Sequence, residues 1–553
     1  TIPGRTGETI PGQTARGTPE RGDGARDRRP EEALAPGGEP EGGQVAGPAE
    51  DTVIVTSPLF TLRFSTRGAT LVGASLHRYE SYAPNGENGR PVELIRPGDR
   101  LFEYGIAVGS DTLILADRSF EASVMKLELE DEGSIDSLVF RYRVPTSGPE
   151  VVFAVTHTFD ARRYLVRTTG RLEGFEGRGY SLLISLGHGL KTNEANPAED
   201  LREAQYVVNG RSGGIRATRL DEIDPGETRA AGGGPFTWVS VKSKYFLVAL
   251  LAPAGGPGFG GLLASGTPEE HSAGLVASLP VPAGSPGFEY GAYLGPLDYA
   301  RLEAIGNDLQ NVNPYGWRWL QWLIRPLVAI VMWVLTWLHD ALALAYGWVL
   351  ILFGILMRVV LFPLYQKSMR SQIEQMQIQP LVKDLQARYK EDPQRLQQEM
   401  IKLYKEHGVN PLSGCLPMML PMPVLFTLFF VFRGTIEFRG EPFLWLPDLS
   451  LKDPIYVIPL VMGASMYLLQ WIGQRGIEAN PQMKVMTYVL PVVFTVLFLN
   501  FPSGLNLYYA TSNIASLPQQ WYLSRERRAA LRKRPAKASP KAASSSTTAS
   551  GPP

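Results

Sequence analysis

One cation sits where charge is expensive. Arg358 is the single charged residue of the stretch 341–366, and residues 341–357 before it are all uncharged. A guanidinium near a bilayer centre costs roughly 2.5–3.5 kcal/mol on insertion scales. Such a residue either faces a wet cavity or snorkels to the headgroups, and the boundary near Lys367 lies within reach. Both readings stand on the sequence. No Asp or Glu falls inside any predicted span. In the first reading the cation attracts acidic groups of a passing chain.

A second concentration of polar chemistry lies near the C-terminus. Thr495, Asn500, Ser503, Asn506, Thr511, Ser512, Asn513 and Gln519 fall within otherwise apolar sequence, with Tyr508 and Tyr509 adding hydroxyls. Taken singly, such residues bond neighbouring helices. Taken together, they favour a hydrated face. Pro417, Pro421 and Pro423 fall in one apolar stretch beside Met418, Met419, Met422 and Leu425. Proline kinks a helix and methionine adapts to varied partners. The stretch can present a bent apolar face to a guest helix, or simply pack.

Enzymatic chemistry finds little support. The six histidines (His77, His157, His188, His271, His339 and His407) have no metal-binding spacing. Only His157 and His188, in the β-rich part, are candidates for acid–base work on a ligand. The lone Cys415 excludes an intrachain disulfide and four-cysteine zinc sites. No nucleophile elbow or phosphate-binding loop is present. The reading is therefore non-enzymatic, with no cofactor and no metal. Lys+Arg and Asp+Glu are 54 each, so direct sequence-specific nucleic-acid binding is not expected.

The elements that must hold these residues follow from composition. Residues 1–50 hold 11 Gly, 7 Pro and no aromatic residue, and read as a disordered linker. Residues 52–300 read as a β domain. Phe60, Leu62 and Phe64 alternate with Thr61, Arg63 and Ser65, and similar runs cover Glu121–Glu128, Ser137–Val144, Val151–Phe159, Tyr164–Gly170 and Tyr180–Leu186. Many short strands between turn residues predict an antiparallel sandwich. Residues 313–340 carry Trp317, Trp319, Trp322, Trp333 and Trp337 around a short apolar core. They predict an amphipathic helix lying in the membrane interface.

Five spans follow, at 341–366, 414–432, 454–474, 485–500 and 503–523. The connector 367–406 reads as a helical hairpin, with Asp392-Pro393 starting its second helix. Residues 366–406 and 525–541 carry eight Lys/Arg each. Positive-inside logic places both in the cytoplasm, with the β domain outside and the tail 525–553 inside.

Four stretches resemble the bacterial YidC insertase family: MRVVLFPL (357–364), KLYKEHGVNPLSGCLPMMLPMPVLFTLFF (402–430), DLSLKDPIYVIPLVMGASMYLLQ (448–470) and PQMKVMTYVLPVVFTVLFLNFPSGLNLYYATSN (481–513). TLRFSTRGATLVGASL (61–76) resembles the start of that family's periplasmic domain. The resemblance implies an α+β membrane protein of the bacterial inner membrane. A five-helix core would enclose a hydrophilic groove open to cytoplasm and lipid, beside a periplasmic β-sandwich and a cytoplasmic hairpin. It implies that Arg358, Tyr509, Asn506, Ser503 and Asn513 line the groove, and that Met422, Pro423 and Leu497 form a slide for entering segments. Implied partners are nascent membrane proteins, the lipid bilayer, the Sec translocon, and the ribosome through the basic tail. The family's N-terminal signal-anchor span is expected to be missing from this sequence. A threonine found in some members aligns with Gly354. Two other readings remain: a secondary transporter, disfavoured by the lack of paired ionisable groups and of a repeat, and a membrane-tethered periplasmic carbohydrate-binding enzyme.

Overall fold

The computed structural model describes residues 51–532 apart from 85, 132, 146–149, 176–177, 270, 314–315, 317–319, 409–421 and 475–484. The expected linker 1–50 and most of the basic tail lie outside these residues, as do Trp317, Trp319, Pro417, Met418, Met419 and Pro421.

The β domain follows from alternation. Strand Phe60–Ser65 buries Phe60, Leu62 and Phe64 and exposes Arg63. Three sheets form, of five, nine and six strands. The nine-stranded sheet carries Val151–Asp160 between Ile135–Val144 and Leu165–Glu173, and joins Phe246–Leu251 through Phe288–Pro296. Strand Phe246–Leu251 is buried throughout, as a central strand covered on both faces must be.

Two details depart from the expectation. The run Glu121–Glu128 is not one strand. Glu121–Ala122 pairs with Ile135–Val144, whereas Lys126–Glu128 pairs with Thr52–Thr56 in another sheet. The chain turns a corner between sheets at residues 123–125, as strands do where sheets meet. The second pairing is parallel, so the sandwich is not wholly antiparallel.

The α-helices of the described residues are α1 (Pro197–Arg202), within the β domain, and after the last strands α2 (Tyr299–Ile305), α3 (Gln321–Leu342), α4 (Tyr346–Arg388), α5 (Pro393–Glu406), α6 (Met422–Gly434), α7 (Val457–Gln474), α8 (Leu490–Phe498) and α9 (Ser503–Arg532). Two stretches, Gln321–Leu342 and Tyr346–Leu364, are long and apolar enough to cross a membrane by length and composition. α3 is therefore longer than its apolar centre suggests. It buries Ile324, Val328, Leu335 and Leu338 on one face and leaves Trp322 75% exposed, with Trp333 and Trp337 exposed and mutually stacked. α4 continues without a break from its apolar half into the charged connector. Asp392 caps α5, accepting from the Arg395 N–H, with Pro393 in the first turn.

Two hydrophobic cores result. One fills the sandwich around Phe64, Phe140, Phe159, Trp238 and Tyr290. The other joins α3, α4, α6, α7 and α9 through Leu335, Phe353, Phe432, Met462 and Leu505.

Candidate functional site: a polar cavity among the apolar helices

The site is built on α4 and α9, which pack closely because Gly354 has no side chain. A Cβ there would lie 3.3 Å from Thr511 Cγ2 and 3.4 Å from the Tyr508 carbonyl oxygen. One helical turn further along α4 comes Arg358, half-buried. Its Nε donates to Ser516 Oγ on α9, and Ser516 Oγ in turn donates to the Ser512 carbonyl. A cation within the apolar half of α4 is thus turned toward hydroxyls.

A cavity of about 110 Å³ lies beside it, lined by Met357, Arg358 and Leu361 of α4, Val424 of α6, and Tyr508, Tyr509, Ser512 and Asn513 of α9. With its charged and hydroxyl-bearing walls, it can hold water. Asn513 Nδ2 donates 3.3 Å to Ser465 Oγ, tying α9 to α7. The Tyr509 ring meets Phe498 of α8 edge-on at 5.6 Å, which brings the fifth apolar helix alongside.

The residues assigned from the resemblance divide. Arg358, Tyr509 and Asn513 converge on the cavity. Ser503 and Asn506 do not line it. Both are fully buried at the start of α9, where they satisfy backbone. Ser503 Oγ donates to the Asp448 carbonyl at 3.2 Å, and Asn506 Nδ2 donates 3.0 Å to the Phe498 carbonyl at the end of α8. Buried helix ends need such partners. Met422 and Leu497 are exposed, at 38% and 52%, and Pro423 is partly exposed.

The two histidine candidates take ordinary roles. His157 is fully buried among Phe64, Phe140 and Phe159, and its Nδ1 meets Thr168 Oγ1 at 3.0 Å. Burial pushes its pKa down to about 3, so it is a neutral core residue. His188 is half-exposed against Asp99 at 2.9 Å, and that hydrogen bond raises its pKa. The two belong to no common cavity among the described residues.

Comparison with known proteins supplies the family. Residues 52–330 match the family described as YidC periplasmic domain, and residues 337–530 the family described as 60Kd inner membrane protein. The membrane protein insertase YidC of Chlorobium limicola is 32% identical over 497 residues, covering 86% of this chain and 83% of that protein. That of Syntrophus aciditrophicus is 31% identical over 518 residues, covering 89% and 90%. The chain belongs to the YidC membrane protein insertase family. It is accordingly an inner membrane protein, and its β domain is the family's periplasmic domain. A crystal structure described as an active YidC insertase with its first transmembrane domain resolved is 18% identical, with a TM-score of 0.34 over 86% of this chain and 93% of that one. Neither the transporter nor the carbohydrate-enzyme reading is favoured by these relatives.

Sequence reading missed Asp453 and Arg439. Asp453 accepts from the N–H groups of Ile455 and Ile458 and from Trp445 Nε1, and so organises the start of α7. The Asp-Pro pair at 453–454 is a visible signal for it.

Proposed function

We propose that this protein inserts transmembrane segments of nascent proteins into the bacterial inner membrane and helps them fold. The carrying observation is Arg358, turned from an apolar helix onto a small polar cavity walled by Tyr509, Ser512 and Asn513.

The mechanism is energetic. A polar flank of an entering helix must cross hydrocarbon, and each desolvated polar group costs several kcal/mol. A wet recess partway across shortens the apolar path. Arg358 donates to the Ser516 hydroxyl through Nε, and a guanidinium carries five N–H donors, so it can also take up an arriving carboxylate, with charge-assisted hydrogen bonds about twice as strong as neutral ones. The apolar part of the same segment meanwhile slides on Met422, Pro423 and Leu497, whose exposure supports that role. Partition into lipid then drives release. No step calls for a nucleotide or cofactor.

Five helices, α4 and α6–α9, serve as the spans, with α3 in the interface. The eight Lys/Arg of 366–406 and the eight of 525–541 put the connector and the C-terminus in the cytoplasm. In this topology the basic tail meets the ribosome, and the helical face remains open to the Sec translocon.

The test is photocrosslinking to a stalled nascent membrane protein. Probes at Met422, Leu497 and Tyr509 are expected to capture the nascent segment, and a probe at Ile330 on α3 is not. Equal capture at all four positions contradicts a defined path.

A further inference from the structure

The connector between α6 and α7 carries Arg433, Arg439 and Lys452, and in sequence it reads as a loop with three cations. In the structure it is a joint. Its single 3₁₀ turn, Ile436–Phe438, contributes Ile436 to the core of the β domain and Phe438 to the core of the helices. Two residues apart, the chain stitches the two cores together.

Arg439 follows immediately. Only 2% of its side chain is exposed. Nε donates to Glu194 Oε1 at 2.8 Å and Nη2 to the Asn193 carbonyl at 3.2 Å. The guanidinium lies 4.5 Å from the Tyr82 ring centre and 5.3 Å from that of Phe246. All four partners belong to the β domain. Gly440, at φ 74°, runs so close to Tyr82 that a Cβ would collide with its hydroxyl. Arg433 at the end of α6 pairs with Glu203 at 2.7 Å. Asn313 Nδ2 donates 2.9 Å to the Gly434 carbonyl.

This is more than a surface ion pair. An exposed pair would be dispensable. Here both charges are withdrawn from water, and each is compensated only while the other stays in place. An arginine is suited to such a socket because its flat face stacks on rings while its edge donates in plane.

We infer that Arg439 is a positioning residue: it plugs into a socket of Tyr82, Asn193, Glu194 and Phe246 and fixes the periplasmic domain on the α6–α7 connector, so that α6 is braced while a segment moves along it. Phe438 links the plug to the brace, with its ring 4.5 Å from that of Phe432 on α6. Docking itself stands apart from the insertion reading. Its effect on insertion rests on that reading.

The test uses the full chain in proteoliposomes, with Cys415→Ser as background. Spin labels go on Thr112 of the β domain and Ile330 of α3, and pulsed dipolar spectroscopy reads their distance. The background protein is expected to give one narrow distribution. Glu194→Gln and Arg439→Gln, which approach the pair from opposite sides, are each expected to broaden it at least twofold. Combining them should add little, and Arg439→Lys, which keeps the charge but not the flat stacking face, should broaden it less than Arg439→Gln. The same samples are assayed for insertion, where the two Gln variants are expected to be at least threefold slower. Unchanged distributions in both variants overturn the anchor. Broad distributions with unchanged insertion overturn the bracing role. If the background protein inserts nothing, the insertion reading fails, while the distances still decide docking. Glu194→Gln changes no residue of the membrane helices, so its effect does not reflect failure of those helices to fold.

Discussion

Asp453 organises the start of α7, and its removal has a calculable cost. The carboxylate is fully buried. Oδ2 accepts from the Ile458 N–H at 2.7 Å, and Oδ1 from the Ile455 N–H at 3.1 Å and Trp445 Nε1 at 3.2 Å. Asp453→Ala removes all three. The cap bond is the one to the Ile458 N–H, and this buried donor, left without an acceptor, costs about 1–3 kcal/mol. Trp445 and Ile455 are partly exposed, so water replaces most of their loss. The expected total is about 1–3 kcal/mol. Asp453→Asn keeps one acceptor oxygen and should lose about half as much. Denaturation of the full chain in mild detergent, followed by tryptophan emission, measures both. An Ala variant within about 0.5 kcal/mol of the parent, the range of ordinary surface changes, would refute the capping argument.

Other perturbations have defined outcomes. Gly354→Ala should be tolerated after a small shift of Thr511, whereas Gly354→Leu overpacks the α4–α9 contact and should cost about 1–3 kcal/mol in the same denaturation assay. Trp238→Ala empties a fully buried site and frees the Asn307 carbonyl from its 2.8 Å bond, so the β-domain transition should lose about 3–5 kcal/mol. Burial and the neighbouring Asp298 carboxylate push Glu437 up to about 7 from 4.5. It faces Asp298, Thr435, the Tyr299 N–H, and the phenols of Tyr79 and Tyr346. A raised carboxyl means that the folded state holds a proton which the unfolded state has released. Stability from Glu437 is therefore full below about pH 4.5, falls as pH rises, and is gone above about 7. Melting of the full chain across that window should show the decline, and Glu437→Gln should flatten it. A profile rising with pH in Glu437→Gln and parent alike would contradict this assignment.

Much of the β domain is legible in the sequence, because period-two burial is local information. Phe60, Leu62 and Phe64 announce their strand without reference to anything distant. The corner at residues 123–125 is not legible, since both halves of Glu121–Glu128 alternate and only their partners differ. Arg358 stands out because charge inside an apolar run is a local anomaly. Tyr509 and Asn513 join it by helical geometry along α9. Ser503 and Asn506 look the same in sequence, yet Ser503 bonds backbone of the distant α6–α7 connector and Asn506 bonds backbone at the turn between α8 and α9. Arg439 was invisible for a different reason. It reads as one cation of a loop, and its carboxylate partner, Glu194, is 245 residues away. Long-range burial of that kind leaves no periodic trace.

The central claim concerns insertion at the Arg358 cavity. The most direct measurement is protease protection of a small single-span substrate with an acidic translocated flank, in liposomes containing the purified chain or Arg358→Ala. A parallel substrate carries an apolar flank. The account predicts protection of both substrates by the parent, and loss with Arg358→Ala that is much larger for the acidic flank. Equal protection of the acidic-flank substrate by parent and variant would contradict the role given to Arg358. No protection by the parent beyond empty liposomes would contradict insertion by this chain alone.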